Sequence, residues 1–406
     1  MNWSAQQEAA LKDIAAWVAD PSAPQVRRLF GWAGTGKSTL AQHFAEGVAG
    51  TVLFAAYTGK AASIMRQKGC PGATTIHSLI YHSKEKSRLQ LQLLEDELIE
   101  LLQEYRDIPE EEVPKIVELR LAINRERRNL AQPSFHLNLE SKAQFAKLVI
   151  IDECSMVGGK MGEDLLSFGT KILALGDPAQ LPPPFGAGYF TENVEPDIML
   201  TDIHRQARDN PIIDLATRVR AKESLPLGNY GSSSVIVKAS PEQAIAADQV
   251  LVGRNKTRHR TNDRLRELLG LTDPYPVPGD KLCCLRNNHD RGLMNGAIWH
   301  VVDTGDHDEE TVLLTVKADG GDEELVVTAH TSPFLGGDLM DLSWQDRREA
   351  EEFAYGYALT VHKAQGSQWG NVLINDESDC FRAQRWRWLY TGITRAAESV
   401  VVVKGN

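Results

Sequence analysis

Residues 31–39, "GWAGTGKST", carry Gly31, Gly36, Lys37 and Ser38 at the spacing of a loop that cradles phosphate. Glycines let the backbone amides of Gly34, Thr35 and Gly36 turn toward phosphate oxygens, and a helix starting at the Lys-Ser-Thr end offers its N-terminus to the same charge. Lys37 is then placed to reach the β- and γ-phosphates of a nucleoside triphosphate; the Ser38 hydroxyl takes a magnesium ion, and Thr39 closes the binding stretch. A second pattern completes the chemistry. The run "LVIIDE", residues 148–153, is an apolar strand ending in two carboxylates. Asp152 suits the metal shell and Glu153 suits the polarising of an attacking water. Solvent-facing acids are a poor explanation for a pair that follows four core-type residues. Together the patterns predict Mg2+-dependent hydrolysis of a nucleoside triphosphate, with ATP the expected nucleotide.

Such residues need rigid elements behind them. Between residues 26 and 178, "LFG", "VLFAAYT", "LVIIDE" and "KILALGD" are short apolar runs with turn residues at their ends, as in buried parallel strands alternating with helices. A second set, "VLVGRN", "YALTVH", "NVLIND" and "SVVVVK", occupies residues 250–404. Two α/β lobes follow. Within the first, residues 84–130 are densely charged, and Leu91, Leu94, Leu98, Leu101 and Tyr105 recur at helical spacing before Pro109 and Pro114, which predicts a projecting helical hairpin. Within the second, residues 276–333 break into short alternating segments around "NNHDRG", "NG" and "ADGGDEE", the texture of a small antiparallel barrel or sandwich. The stretch "LGNYGSSSV" reads as a loop.

Composition narrows the function classes. A chain of 406 residues with 42% hydrophobic and 24% charged residues contains no apolar run long enough to span a bilayer, so no membrane role is expected. The start of the chain lacks the pattern of a secretory signal and reads as a helix capped by Ser4. Five cysteines without paired spacing point to a reducing, cytoplasmic compartment. A net charge of -11 excludes holding nucleic acid by bulk electrostatics, so any such partner meets a local groove.

Further stretches fall in order along the chain: Gln7 in "WSAQQEAAL", the phosphate loop, "AAYTGKAA", "TTIHSLI", "DECSM", "GDPAQLPP", "IHRQ", "YALTVHKAQGSQ" and "LYTGITRA". In this order they resemble the motifs of superfamily 1 helicases, in the RecD-like and phage Dda-like branch, superfamily 1B. The resemblance covers nearly the whole chain apart from the helical insertion. It implies an α/β fold of two RecA-like parallel-sheet domains, the first from residues 1–83 and 141–198 and the second from 199–272 and 346–406. Residues 84–140 are then a helical insertion in the first domain. Residues 273–345, with "PGDKLCCLRNN" and "GLMNGAIWHVV", are a small SH3-like β-barrel insertion in the second.

The resemblance also implies roles. Gln7 reads adenine. Gln180 contacts the γ-phosphate, and the prolines after it lead toward the DNA groove, so the segment "GDPAQLPPPFG", residues 176–186, couples nucleotide state to strand grip; the fixed φ of proline transmits displacement. Arg205 and Arg395 come from the second lobe onto the γ-phosphate, where a guanidinium stabilises charge that develops in phosphoryl transfer. Implied DNA contacts are Thr58, Lys60, Thr75, His77, Thr360, His362 and Lys363, with Arg254 and Asn255 as further candidates at a strand edge. Hydroxyls, amides and single cations suit phosphate contacts without sequence readout. The implied activity is that of a monomeric ATP-driven DNA helicase moving 5′ to 3′ on single-stranded DNA, with tailed duplexes as substrates. A small motor of this kind is also compatible with a phage origin.

Two departures stand out. Tyr57 occupies a position where this family commonly has proline, and the first-lobe insertion reads as helix where the family has a β-hairpin pin that splits the duplex. A reduced pin is expected in "PSFHLNLES", with Phe135 as its stacking residue. Two other readings stay open: a phosphate-loop kinase or ATPase that does not act on DNA, and an ATP-switched DNA clamp without unwinding activity.

Overall fold

The computed structural model describes the chain except residues 1–2, 85–88, 107, 132–133, 184–185, 193, 203–209, 338, 340–343 and 406. Its first lobe is built on a six-stranded parallel sheet. In sheet order the strands are Thr74–Thr75, Val52–Ala56, Leu148–Asp152, Lys171–Gly176, Val26–Gly31 and Ile198–Leu200. The strand Leu148–Asp152 lies between Val52–Ala56 and Lys171–Gly176, and its first four residues are fully buried, which is why they read as a continuous apolar run. The phosphate loop and the Asp152–Glu153 pair emerge at the same, C-terminal edge of this sheet, where open α/β sheets hold ligands.

The second lobe repeats the plan. Its sheet order is Ala358–Thr360, Gln249–Val252, Trp369–Asp376, Ala396–Lys404, Ser233–Ile236 and Gly228–Tyr230. All pairs are parallel except the last. The last pair corrects the sequence reading, because "LGNYGSSSV" is a hairpin and not a loop. Gly231, at φ 59°, and Ser232 make its two-residue turn. Its strands are short and mostly polar, so alternation gave no strand pattern; pairing with Ala396–Lys404 supplies the order.

Both insertions have cores of their own. In the first, helices Leu89–Glu104 and Pro114–Ala131 pack around Leu101, Val113, Ile116 and Leu119. They spring from an antiparallel pair, Tyr81–Lys84 with Ser134–Leu137. In the second, Lys281–Cys284, Ile298–His307, Thr311–Ala318, Glu324–His330 and Phe353–Tyr355 form one five-stranded antiparallel sheet over a core that includes Leu282, Leu314 and Phe353. Its last strand falls beyond the expected boundary at residue 345. No helix among the described residues is long and apolar enough to cross a membrane, and all five cysteines are unbridged.

Candidate active site and nucleic-acid groove

The phosphate loop is shaped by close approach. A Cβ on Gly31 would lie 2.5 Å from the Thr35 hydroxyl, which itself donates to the Trp32 carbonyl at 2.8 Å. Gly34 and Gly36 sit at φ 81° and 77°, a region that side chains disfavour. The helix Lys37–Glu46 begins there with no side chain capping it, so its N-terminal amides face the cleft. Lys37 Nζ is folded back on the Gly31 and Trp32 carbonyls at 2.7 and 3.1 Å, and Ser38 Oγ donates to Asp152 Oδ2 at 2.7 Å. Ser38 and Asp152 are therefore adjacent, as shared ligands of a magnesium ion need to be. One hydroxyl and one carboxylate, completed by phosphate oxygens and water, suit that cation.

Around them lies a cavity of ≈ 190 Å³ lined by both lobes: Lys37, Ser38, Asp152, Glu153 and Gln180 from the first, Ser367, Thr394 and Arg395 from the second. Glu153 adopts a left-handed φ of 52°, which turns its side chain off the strand direction. Burial pushes its carboxyl above the ordinary value, against the pull of Arg395. Arg395 Nη1 stands 3.9 Å from Glu153 Oε1, and the guanidinium is steadied by donating from Nε to the Thr391 carbonyl and from Nη1 to the Ser367 carbonyl. Gln180 is 7% exposed, and its amide oxygen has no partner among the described residues. An orphaned amide beside a glycine cradle fits a site shaped for a polar ligand. Gln7 is buried; its amide donates to the Thr35 carbonyl at 3.1 Å and accepts from the Ser4 amide at 3.0 Å, tying the first helix to the phosphate loop. Arg205 lies outside the described residues.

A larger groove of ≈ 1090 Å³ runs between the lobes and the β insertion. It brings together Thr58, Lys60, Thr75 and His77 with Thr360, His362, Lys363 and Phe135. Each of the three threonines sits at a turn: Thr58 caps the helix Gly59–Gln67, Thr75 caps Ile76–Ile80, and the Thr360 hydroxyl accepts from the Lys363 amide at 3.3 Å. Amides and hydroxyls at such turns favour phosphate oxygens. Lys60 lies 4.8 Å over the Trp369 ring, and Lys363 donates to Asn295. Burial pushes both His77 and His362 below the ordinary imidazole value, so they face the groove uncharged at neutral pH. The lobes meet beside it at Gly366, at φ 75°, where a Cβ would lie 3.0 Å from Thr58 Oγ1.

Against these geometries come the likenesses. A family model described as an AAA domain matches residues 2–240, more than half of the chain, and one described as a UvrD-like helicase C-terminal domain matches residues 355–403. The ATP-dependent RecD2 DNA helicase of Deinococcus radiodurans is 30% identical over 281 residues, which are 62% of this chain and 35% of that protein. The chain belongs to the AAA domain family. It spans about a third of the length of that curated relative. A crystal structure of Bacteroides Pif1 bound to single-stranded DNA is similar with a TM-score of 0.55 at 16% identity, covering 99% of this chain and 92% of that one. The Pif1 helicase of Candida albicans is similar with a TM-score of 0.51 at 19% identity, covering 99% and 94%. Both likenesses show the fold.

Some of the residues expected at the groove stand apart from it. Arg254 and Asn255 do not line the groove. Arg254 immediately precedes the helix Asn255–Leu268, and its guanidinium is held by Glu377 at 2.6 Å, while Asn255 is the first residue of that helix. Phe135 is not at the tip of a pin: it stands opposite Ser83 in the stem of the helical insertion, with its ring centroid 5.4 Å from His77 and 6.1 Å from Tyr81. Tyr57 joins the same wall, 6.0 Å from His77. Sequence reasoning missed Asp177, Leu181, Gln365, Tyr390 and Thr391, which join the lobes behind the cavity. All five lie inside the motif stretches, yet nothing in a single sequence says which polar residue of a motif turns inward.

Proposed function

We propose that the chain is an ATP-dependent DNA helicase that moves 5′ to 3′ along single-stranded DNA. The observation that carries this reading is Ser367, which lines both the cavity beside the phosphate loop and the groove, so that the two sites share one wall made by the second lobe. Lys37 releases its carbonyl partners to hold the β- and γ-phosphates of ATP, and the amides of residues 34–39 take the remaining oxygens. Magnesium bound at Ser38 and Asp152 supplies neutralisation of phosphate charge. Glu153 accepts a proton from the attacking water; Gln180 orients that water against the γ-phosphate, and Arg395 stabilises the charge that develops.

Because Arg395 belongs to the second lobe and the phosphate loop to the first, closure around ATP and opening after hydrolysis shift Thr360 and Lys363 relative to Thr58 and Thr75. Alternating grip on one strand turns that shift into directed movement. The acidic chain favours a releasable, salt-sensitive hold on DNA. Unwinding of duplexes carrying either a 5′ or a 3′ single-stranded tail tests the reading: strand separation from the 5′ tail alone supports it, and separation from the 3′ tail alone overturns the polarity. ATP-dependent DNA binding without any strand separation overturns the helicase in favour of a clamp.

A further inference from the structure

Behind the cavity, the turn that follows the strand Lys171–Gly176 is gripped by the second lobe. Tyr390 Oη donates to Asp177 Oδ2 at 2.6 Å and accepts from the Ala33 amide of the phosphate loop at 3.3 Å. The Leu181 amide donates to Thr391 Oγ1 at 2.9 Å, and Gln365 Nε2 donates to the Leu181 carbonyl at 3.0 Å. The Leu181 side chain belongs to the second lobe's core, with Leu215 and Trp388, although its backbone follows a first-lobe strand. One residue before Ala33, the Trp32 ring lies under the Arg220 guanidinium at 4.1 Å.

These contacts bracket Gln180. Asp177 precedes it by three residues and Leu181 follows it, and both are 1% exposed. A carboxylate so buried needs its hydrogen bonds, since desolvation opposes its charge. The Asp177 carboxylate accepts from only two groups among the described residues, the Tyr390 hydroxyl and the Ala179 amide at 2.9 Å. Burial pushes its carboxyl up, against the pull of Lys37 and of the Tyr390 bond. Tyr390 lies in the helix Arg385–Ile393, and Arg395 follows two residues beyond that helix's end.

We propose that Tyr390 is a positioning residue: by joining Asp177 and the Ala33 amide it fixes the Asp177–Leu181 turn and the Arg395 segment in one frame, so that Gln180 and Arg395 reach the nucleotide as a pair. This rests on the reading of the cleft as an ATP hydrolysis site controlled by DNA. Tyr390 touches neither nucleotide nor DNA in this scheme, so its loss acts on turnover and not on affinity.

Steady-state ATP hydrolysis by the full chain, with and without a single-stranded oligothymidylate, tests this in Tyr390→Phe, Asp177→Ala and the double variant. Tyr390→Phe is expected to lower the DNA-stimulated kcat about tenfold with the KM for ATP within about twofold. Because both groups serve one bond, the double variant is expected to fall no further than the worse single variant. An unchanged kcat in Tyr390→Phe, a raised KM with kcat intact, or losses that multiply to about a hundredfold would each overturn the proposal. If Asp177→Ala does not fold, Thr391→Val takes its place and is expected to lower kcat in the same direction; an unchanged kcat there overturns the clamp on the turn. A wild-type chain that DNA fails to stimulate removes the functional reading instead, and the comparison of basal kcat between wild type and Tyr390→Phe still decides the role of Tyr390.

Discussion

Each lobe contains a parallel strand that turns into a helix, and the two turns treat an anion in opposite ways. In the first lobe, Val26–Gly31 passes through the glycine loop into Lys37–Glu46, whose first amides no side chain caps. In the second, Gln249–Val252 passes through Gly253 and Arg254 into Asn255–Leu268, and the Glu377 carboxylate fills the turn. Glu377 accepts from the amides of Gly253 and Arg254 at 2.7 and 3.1 Å, from the Arg254 guanidinium, and from the Thr257 hydroxyl at 2.7 Å. A helix N-terminus attracts negative charge in both places. The second lobe supplies that charge from its own chain, and the first leaves the place for a substrate. The open helix N-terminus thus lies in the first lobe, while the second lobe reaches the same cavity through Arg395 from a different element.

The comparison breaks most visibly at Lys37. Lys37→Ala is expected to lower ATP turnover by about a thousandfold or more, because the cation on the β- and γ-phosphates is lost. Glu377→Ala should leave turnover within about twofold. Steady-state hydrolysis assays on the pair check this, and equal losses would erase the distinction between the turns. Next in size, Glu153→Gln is expected to bind nucleotide normally while kcat falls about a hundredfold. Burial raises the Glu153 carboxyl above its ordinary 4.5, and the base must be ionised, so wild-type kcat is lost as pH falls through that raised value. The pH profile of the Gln variant should lack this acid limb.

A smaller effect falls on stability. Glu377→Ala leaves the Arg254 cation and the amides of Gly253 and Arg254 without their acceptor, and is expected to lower unfolding stability by about 1–2 kcal/mol in a urea titration. Burial alone would raise the Glu377 carboxyl, but bonds from Thr257, Arg254 and the two amides hold it below its ordinary value. Its stabilisation is therefore present above the unfolded-state value and is lost as pH falls through the lower, folded one. Acid titrations of wild type and variant should converge there. The smallest effect expected is at Phe135: Phe135→Ala should slow unwinding of a tailed duplex about threefold to tenfold and change single-strand-stimulated hydrolysis by less than about twofold. Equal losses in the two assays would remove any role of Phe135 specific to unwinding.

The sequence made the nucleotide half of the molecule legible because that chemistry is local. Gly31 to Thr39 are contiguous, and Asp152 and Glu153 end a strand whose burial shows as four apolar residues. The helical hairpin was legible from its leucine spacing as well. What escaped was long-range. The Gly228–Tyr230 and Ser233–Ile236 strands carry little apolar pattern and owe their order to a neighbouring strand. Arg254 looked like a cation available to DNA because its partner Glu377 lies far along the chain. Phe135 was expected to be the stacking residue of a reduced pin because its strand partner, which places it in a stem, precedes the whole helical insertion.

The central claim is that the cavity containing Lys37, Glu153 and Arg395 is driven through the groove it adjoins. ATP hydrolysis measured across a titration of single-stranded DNA, in wild type and in a Thr360→Ala, Lys363→Ala variant, tests it most directly. The account predicts strong stimulation in wild type, and in the variant an unchanged DNA-free rate with stimulation reached only at much higher DNA concentration. A wild-type rate indifferent to DNA, or full stimulation of the variant at wild-type DNA concentrations, would contradict it.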